Sequence, residues 1–248
     1  MRYKQAARTI FLRLSRITTA GTGVTCPCCG AHLRRFARFH GESEQCPHCE
    51  SLRRHRALLL YLRDELRVAS TGGRVLHFAP EPSLQRWIAS LDAVSYVSVD
   101  LESPLADVRA DITKLPFEDD SFDLVICSHV LEHVPDDRTA IGELFRVVRP
   151  RGTAVIQLPA AEVDETLEDP SVTDPAERER LFGQYDHVRA CGPDYRLRIE
   201  AAGFDVTEED YAGRLDAATR ARFGIRGGEA FYVSAKPQSV AGRAARDA

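Results

Sequence analysis

Apolar residues recur along this chain in short runs that alternate with longer stretches of helical periodicity. Seven runs have the length and residue types of buried strands: 74–78, 96–100, 108–112, 122–127, 153–158, 204–206 and 230–235. Helical spacing of apolar positions lies between them: 52–68, 82–91, 137–148 and 195–202. Alternating strands and helices predict an α/β fold with a Rossmann-like, doubly wound sheet of seven mostly parallel strands.

The front of the chain has a different pattern. The apolar residues of 1–19 share one narrow helical seam: Tyr3, Ala7, Ile10, Leu14 and Ile17. Basic residues lie mostly off this seam. We predict a basic N-terminal helix over residues 1–22 that packs on the rest of the protein, because so short a helix is marginal alone. Contact with a membrane surface or a partner is the alternative.

Changes in pattern divide the rest of the chain. A small cysteine-bearing module is predicted over 23–51, and the α/β domain over 52–236. Within that domain, the polar, proline-rich stretch 159–193 is expected to be an insertion that serves as a substrate lid. Residues 237–248 are expected to be a disordered tail.

Two C-x-x-C motifs, VTCPCCG and QCPHCES, mark the front module. The first and last cysteines of the two motifs are Cys26 and Cys29, and Cys46 and Cys49. Sixteen residues lie between Cys29 and Cys46. Each turn directs two thiolates at one centre, so two turns close a tetrahedral, structural Zn²⁺ site. The module resembles a zinc ribbon. Cys28 and His48 are alternative ligands, and free thiols or a disulfide pair are the alternatives to a metal.

The distribution of charge and the length of the apolar runs limit the partners and the location that the sequence predicts. The net charge is −4, yet residues 1–69 carry 13 basic and 5 acidic side chains. A basic front can dock on the acidic body or meet a polyanion. The sequence has no apolar run of about 18 residues and no apolar leader core, which excludes a transmembrane helix and a secretory signal. Paired cysteines indicate a reducing compartment, so we expect a cytoplasmic protein.

The stretch DITKLPFEDDSFDLVICSHVLEHVP, residues 111–135, combines a polar turn, a buried strand and a polar exit. In order and spacing it resembles the central segment of class I S-adenosylmethionine (SAM) dependent methyltransferases of the type 11-like group. The likeness extends more loosely over 74–236. It implies the fold predicted above, SAM as the methyl donor and methyl transfer as the activity.

Two acids follow predicted strands. Asp100 ends the second strand and precedes Leu101, and an acid in this position is a ribose site in such folds. The resemblance implies that Asp111 contacts the adenine amino group and that the Ile112 backbone contacts the ring.

Contacts to the methionine end of SAM are predicted from two other stretches of the sequence. The resemblance implies that Ser128 and His129 line it. The family's glycine-rich first loop is replaced here by HFAPEP, which has no glycine. Ala79 and Glu81 are the predicted contacts in this loop, and Glu81 takes the place of the acid that would hold the methionine ammonium.

The acceptor side is predicted from the insertion. Its segment QYDHVR resembles a stretch at the same position in related methyltransferases. His187 is the predicted base, oriented by Asp186 or another carboxylate, and Tyr185 and Arg189 are the predicted acceptor contacts. His133, one helical turn beyond the exit of the central strand, is a second candidate, with a bracing role as the alternative.

Basic residues crowd the first turn of the helix that follows the cysteine module. Ser51 is expected to cap this helix, and Arg56 is a candidate grip for a phosphate or carboxylate of the substrate. A salt-bridge cluster against the acidic body is the alternative, since basic groups oppose the helix dipole there.

We therefore expect a methyltransferase that acts on a small-molecule or saccharide acceptor. A nicotinamide cofactor is disfavoured, because no G-x-G-x-x-G is present. One alternative is methylation of RNA or protein with the cysteine module as recognition arm, although the front lacks an interleaved aromatic platform. Another is a non-catalytic SAM-fold binding protein.

Overall fold

The computed structural model describes residues 20–38 and 44–238. Residues 1–19 of the helix predicted over 1–22 and residues 239–248 of the predicted tail lie outside the described residues, whereas residues 20–22 are part of a strand and not of a helix. The chain divides into two compact units. The described part of the first, here called the cysteine unit, consists of 20–38, 44–72, 81–94 and 210–229. The described part of the second, the sheet unit, consists of 73–80, 95–209 and 230–238.

The described strands, in chain order, are β1 (Ala20–Thr25), β2 (His32–Leu33), β3 (Ala37–Arg38), β4 (Glu44–Gln45), β5 (Gly73–Phe78), β6 (Val94–Asp100), β7 (Val108–Arg109), β8 (Phe122–Ser128), β9 (Val148–Gln157), β10 (Leu167–Glu168), β11 (Arg189–Ala190), β12 (Asp205–Glu209) and β13 (Phe231–Ala235). The described α-helices are α1 (Arg53–Asp64), α2 (Val68–Thr71), α3 (Pro82–Ala89), α4 (Asp137–Val147), α5 (Pro175–Phe182), α6 (Tyr195–Ala201), α7 (Tyr211–Arg214) and α8 (Ala217–Phe223). A 3₁₀ turn spans Leu131–His133.

A seven-stranded sheet is the centre of the sheet unit, with the order β12-β13-β9-β8-β5-β6-β7. Strands β5, β8 and β9 pair in parallel, and so do β6 and β7. Only β13 is reversed, since it pairs antiparallel with both β9 and β12. This confirms the predicted doubly wound, mostly parallel sheet.

The strand order locates a crevice in the sheet unit. From β5 the chain proceeds to β6 and β7 on one side, then crosses to β8 and β9 on the other. Ligands of open α/β sheets bind at such a reversal, beyond the carboxyl ends of the strands. The residues after β5 and β8 therefore stand at the expected binding edge.

The core of the sheet unit explains the continuous apolar runs. Alternate residues of three strands pack with apolar residues of α4 and α6: Leu76, Phe78, Val125, Cys127, Ala154, Ile156, Ile141, Leu144, Tyr195 and Ile199. Residues of the opposite strand face, such as Val75 and Ile126, are buried as well. Strands buried on both faces carry apolar side chains at every position rather than at every second one.

The cysteine unit contains two small antiparallel pairs. Strand β1 pairs with β2, and β3 pairs with β4. The hairpin expected within 31–39 is not formed in this way, because β2 and β3 pair with different partners. The predicted boundary after residue 51 also differs from the observed division, which places α1, α2, α3, α7 and α8 with the cysteines.

Several element ends differ from the predicted ones. The helix expected over 52–68 ends at Asp64, and Arg67 then adopts a left-handed φ of 51° before α2. Leu52 rather than Ser51 stands at the N-cap of α1. Strand β9 begins at Val148, well before the predicted start, and a bulge opposite β8 accommodates the extra residues, with Arg151 at a φ of 66°.

Within the described residues, no helix combines the length and the apolar character needed to cross a membrane.

Candidate functional site

The first residue after each of the two switch-point strands has an unusual backbone. Ala79 follows β5 with a φ of 47°, and His129 follows β8 with a φ of 54°. The Ala79 N–H donates to Val99 O at 2.9 Å, and the His129 N–H donates to Gln157 O at 2.8 Å. Residues other than glycine rarely take this conformation, and such strain gathers at functional sites. The loop without a glycine therefore keeps a conformation that glycine favours.

Glycine at position 79 is expected to stabilise the protein. A left-handed alanine costs about 1–2 kcal/mol, and the extra entropy of glycine in the unfolded chain cancels about half of the gain. We expect Ala79→Gly to raise the free energy of unfolding by about 0.5–1 kcal/mol in urea titrations. Ala218→Gly, at an exposed position of α8, serves as the control and is expected to lower it by about as much. A loss of stability in Ala79→Gly would contradict the interpretation that the backbone of Ala79 is strained.

The two predicted acids each use one oxygen to close a turn. Asp100 Oδ1 accepts from Glu102 N at 2.7 Å and from Ser103 N at 2.6 Å. Asp111 Oδ1 accepts from the backbone and the hydroxyl of Thr113, both at 2.8 Å. The backbone bond from Thr113 is the main reason that the pKa of Asp111 is lowered. Both carboxylates are thus oriented, and Oδ2 of each is the oxygen to offer to a ligand.

Other predicted cofactor residues lie along the same strand ends. Leu101, directly after β6, is 56% exposed although it is apolar, and Ile112 is buried. The Ser128 hydroxyl donates to Gln157 Oε1 at 3.2 Å. Glu81 is part of the cysteine unit, where its Oε1 lies 3.5 Å from His55 Nε2. The role of Glu81 toward SAM stays a prediction, and this pairing gives its carboxylate a competing partner.

The four cysteines of the C-x-x-C motifs converge in the cysteine unit. Their Sγ atoms all lie within 4.8 Å of one another, with Cys26 to Cys49 at 3.5 Å and Cys29 to Cys46 at 3.7 Å. Four sulfurs at about 2.3 Å from one zinc ion stand about 3.8 Å apart, so the cluster fits a tetrahedral zinc. Hydrogen bonds from neighbouring thiols, first Cys28 for Cys26 and Cys26 for Cys49, lower the pKa of both groups.

The two cysteine turns repeat the same backbone geometry. The residue four positions after the first cysteine, Gly30 or Glu50, donates its N–H back to that cysteine's carbonyl at 2.8 Å. Both residues are left-handed, with φ of 71° and 64°. Ser51 lies beside the thiols, with its hydroxyl 3.3 Å from Cys26 Sγ, which explains why it does not cap α1.

Three side chains of the sheet unit form a second group of metal-ligating type, here called the histidine cluster. One ligand atom from each of Glu132, His133 and His187 lies within 4.8 Å of the others. The first two stand in the 3₁₀ turn after β8, and His187 comes from the insertion. Asp186 does not orient His187 as predicted: its Oδ2 lies 3.5 Å from His133 Nδ1, whereas His187 Nδ1 donates to Phe182 O at 2.9 Å.

Arg189 is a structural residue rather than an acceptor contact, which corrects the prediction. It is buried, and its guanidinium donates to Leu131 O and Val134 O, both at 2.6 Å, and to Pro135 O at 3.0 Å. Its Nε donates to Glu168 at 3.0 Å. Both of its terminal nitrogens therefore hold the turn that carries the histidine cluster. Tyr185 is 60% exposed, as an acceptor contact requires.

Arg56 is corrected in the same way. It is fully buried, and its donors reach the carbonyls of Ser51 at 2.8 Å, Phe223 at 2.9 Å and Gly224 at 2.7 Å. Its guanidinium also stacks 3.8 Å from the Phe36 ring centroid. Burial is the main reason that its pKa is lowered. With these contacts, Arg56 joins parts of the cysteine unit and is not available to a substrate anion.

A network of charged side chains around the buried Asp137 was missed from the sequence. The Tyr195 hydroxyl donates to Asp137 Oδ2 at 2.7 Å, and Arg198 bridges Asp137 and Glu168. The bond from Arg198 is the main reason that the pKa of Glu168 falls to about 2. Burial raises the pKa of the Cys191 thiol to about 12, so it stays neutral. No local motif marks this network, because its members are far apart in the chain.

Comparisons with known proteins agree with this geometry. Residues 89–156 match the family described as a methyltransferase domain. A demethylmenaquinone methyltransferase of Streptomyces avermitilis is 54% identical over 46 residues, which cover 18% of this chain and 20% of that protein. A probable S-adenosylmethionine-dependent methyltransferase of Mycolicibacterium smegmatis is 26% identical over 151 residues, covering 60% of this chain and 54% of the relative.

Among solved structures, the cyclase SpnF aligns with a TM-score of 0.49 at 14% identity and covers 95% of both chains. The chain spans about a fifth of the length of the Streptomyces avermitilis relative and about half of the length of the Mycolicibacterium smegmatis relative. The matched segment runs from the end of α3 through β9 and includes the acids, the turn and the central strand discussed above. This segment is similar to a methyltransferase domain, and the strand order of the sheet fits the Rossmann-like α/β fold predicted from the sequence.

Proposed function

We propose that this protein transfers a methyl group from SAM to a small-molecule acceptor. The observation that carries this proposal is the switch-point edge of the sheet, where two strained residues and two oriented carboxylates stand at successive strand ends. A phosphate cradle of glycines is absent from the first loop. A sulfonium cofactor does not need such a cradle, because its sulfonium is positively charged and the molecule has no phosphate group.

In the proposed complex, the oriented acids hold the nucleoside. Asp100 Oδ2 accepts from the ribose hydroxyls, and Asp111 accepts from the adenine amino group, with Ile112 against the ring. Ser128 and His129 line the methionine end, and Leu101 covers the nucleoside with its exposed apolar side chain. The position of these residues along the edge of one sheet supports the assignments, which come from the family resemblance.

The chain's own part in the reaction is alignment and proton removal. Bound SAM supplies an activated methyl group, which an acceptor nucleophile attacks in line with the departing sulfur. We propose that the histidine cluster removes the proton from the acceptor. His187 Nδ1 donates to a carbonyl, so its Nε2 carries the lone pair. Tyr185, exposed beside it in the insertion, contacts the acceptor.

Zinc is proposed as a structural ion of the cysteine unit. The four-thiolate geometry leaves no position for water, so the ion would hold the small hairpins together and take no part in methyl transfer. Cys26, Cys29, Cys46 and Cys49 are its ligands in this proposal.

SAM binding by the carboxylate edge can be measured directly. We expect Asp100→Asn to weaken SAM about 10–100-fold in calorimetry, because it loses charge-assisted bonds worth about 1.5–3 kcal/mol. The amide oxygen can still close the 102–103 turn, so the fold is kept. Asp92→Asn, at an exposed acid, serves as the control and should bind SAM like the parent. Equal affinity in Asp100→Asn would remove this residue from the ribose site.

Turnover is tested with quinols, phenols and saccharides as acceptors, by formation of S-adenosylhomocysteine and by the mass gain of the product. Relatives named as demethylmenaquinone methyltransferases make reduced quinones the first acceptors to try. SAM binding without transfer to any acceptor or to cell extract would favour a non-catalytic binding protein.

A polyanionic acceptor is the second candidate, and one observation favours it. The cysteine unit has a cleft lined by Arg35, Arg220 and Arg226 beside Phe36. Clustered arginines suit a nucleic-acid backbone. Transfer to cell extract that disappears after ribonuclease treatment would select this candidate over a small molecule.

A further inference from the structure

The histidine cluster contains more ligating groups than a single base requires. Glu132, His133 and His187 converge within 4.8 Å, and His129 and Asp186 flank them. Two elements supply these groups: the 3₁₀ turn after the central strand β8, and the insertion. Convergence of two imidazoles and a carboxylate is typical of sites for divalent transition metals.

Glu132 is the most informative member of the cluster. It is 1% exposed, and among the described residues neither carboxylate oxygen has a hydrogen-bond partner. His129 Nδ1 lies 3.2 Å from Oε1, a distance of an ion pair, but the geometry is not that of a hydrogen bond. A buried carboxylate without a partner is costly, and structures retain one where a cation compensates for it.

The two histidines are held in the way that metal-bound histidines are held. His187 Nδ1 donates to Phe182 O at 2.9 Å, and His133 Nδ1 lies 3.5 Å from Asp186 Oδ2. The hydrogen bond to Phe182 O fixes the tautomer of His187 and leaves its Nε2 for a metal. The two rings stand 4.7 Å apart at an angle of 80°, so they do not stack against each other.

A rigid frame surrounds these three ligands. The Val188 N–H donates to Glu132 O at 2.9 Å, and Arg189 binds the carbonyls of Leu131 and Val134. The insertion is thereby fixed to the turn after β8. Ligand atoms around one tetrahedral ion at about 2.0–2.2 Å stand about 3.3–3.6 Å apart, so atoms that lie within 4.8 Å of one another close the site with shifts of at most about 1 Å.

We propose that Glu132, His133 and His187 bind one divalent transition-metal ion of the Zn²⁺ or Co²⁺ kind. Three protein ligands leave at least one position open, as catalytic sites do. Glu132 and His187 are buried, while a third of the His133 side chain is exposed, so the open position faces solvent.

The metal gives the proposed methyl transfer a defined acceptor class, and this part rests on the proposed function. An acceptor hydroxyl bound in the open position is oriented and acidified by the ion. The acceptor is then an enol, phenol or diol with an oxygen that can coordinate. His187 serves as a ligand in the loaded protein, and the hydroxyl proton passes to His129 or to solvent.

The first test measures stability, with the cysteine site filled by zinc and weaker ions removed on chelating resin. Without further metal, Glu132→Gln is expected to unfold at a higher urea concentration than the parent, because it removes a buried carboxylate that accepts no hydrogen bond. With added Co²⁺ the order should reverse, because only the parent gains stability from binding. A purely structural Glu132 would make the variant less stable under both conditions, which would overturn the proposal.

The second test measures binding by Co²⁺ titration, followed by visible absorbance and calorimetry. Nitrogen and oxygen ligands give no thiolate-to-cobalt charge-transfer band, so this site is distinguished from the cysteines. The parent is expected to bind one Co²⁺, and Glu132→Gln and His187→Ala to bind it about 100-fold more weakly or less. Glu177→Gln, an exposed glutamate of α5, is the matched control and should bind like the parent.

The outcomes separate this inference from the proposed function. Methyl transfer by a protein that binds no Co²⁺ in this titration would overturn the metal site and leave the methyltransferase proposal standing. Co²⁺ binding that depends on Glu132, in a protein that transfers no methyl group, would support the site and contradict the activity.

Discussion

Cys46→Ser is expected to release the zinc of the cysteine unit and to unfold the strand pairs β1–β2 and β3–β4 of that unit. Zinc–thiolate sites contribute about 10–16 kcal/mol in small domains, so one of four ligands accounts for about 3 kcal/mol, or at least about 100-fold in affinity. These strand pairs have little else to replace this, because the buried cluster around the thiols consists of the cysteines with Leu33 and Phe36. Zinc released by a thiol-modifying reagent, counted by mass spectrometry, measures the loss.

Cys28→Ser is the matched control for this prediction. Cys28 stands in the same turn, but it is not among the four converging thiols, and its Sγ approaches His55 O at 4.0 Å. The Cys28→Ser variant should retain one zinc per chain and the parent's resistance to protease. Equal zinc loss in both variants would place Cys28 in the ligand set, and zinc retained by Cys46→Ser would contradict the four-thiolate site.

Arg189→Met is expected to lower the free energy of unfolding by about 3–5 kcal/mol. The substitution keeps much of the side-chain volume, but it removes a donor from Glu168 and from three carbonyls of the turn after β8. The cost comes from the three carbonyls of the turn, because each buried acceptor left without a donor costs about 1–3 kcal/mol, whereas Glu168 keeps its bonds from Arg198. Chemical denaturation followed by circular dichroism measures the change.

Arg180→Met is the control on the surface of α5. Arg180 is exposed and pairs with Glu177 within the same helix, so the expected change is at most about 0.5 kcal/mol. The pair of variants also decides between two roles. If Arg189→Met kept the parent's stability and raised only the KM for an anionic acceptor, the original prediction of a substrate anchor would hold.

Predictions from the sequence succeeded where neighbouring residues decide the structure. The apolar runs of β5, β6, β8 and β9 fixed the strands, since a strand buried on both faces is apolar throughout. The C-x-x-C spacing predicted two turns that each present a pair of thiols, and the four sulfurs do converge. The 111–135 segment predicted the domain family, because its turn, strand and exit are local and ordered.

The same approach failed where the partner of a side chain lies far away in the chain. Arg56 and Arg189 were predicted as anion anchors because sequence shows their charge but not their burial. Their partners lie at Phe223 and Gly224 in one case, and at Leu131 to Pro135 in the other. A guanidinium satisfied by backbone carbonyls looks the same in sequence as one that awaits a ligand.

Backbone conformation was the other weak point. The first loop lacks glycine, and from sequence this suggests a conformation different from that of its family. Ala79 nevertheless takes a left-handed φ of 47°, and its N–H is bonded to Val99 O. A tertiary hydrogen bond can hold a residue against its own preference, and this strain cannot be read from residue type.

The sequence alone determined the alternation of elements, the two cysteine turns and the family of the central segment, because each depends on residues within one or two turns of chain. The tertiary structure decided which strands meet at the switch point and which arginines are enclosed. It also decided that Glu132, His133 and His187 converge. That convergence joins residues separated by more than fifty positions, and only packing of the insertion on the turn after β8 brings their ligand atoms within 4.8 Å.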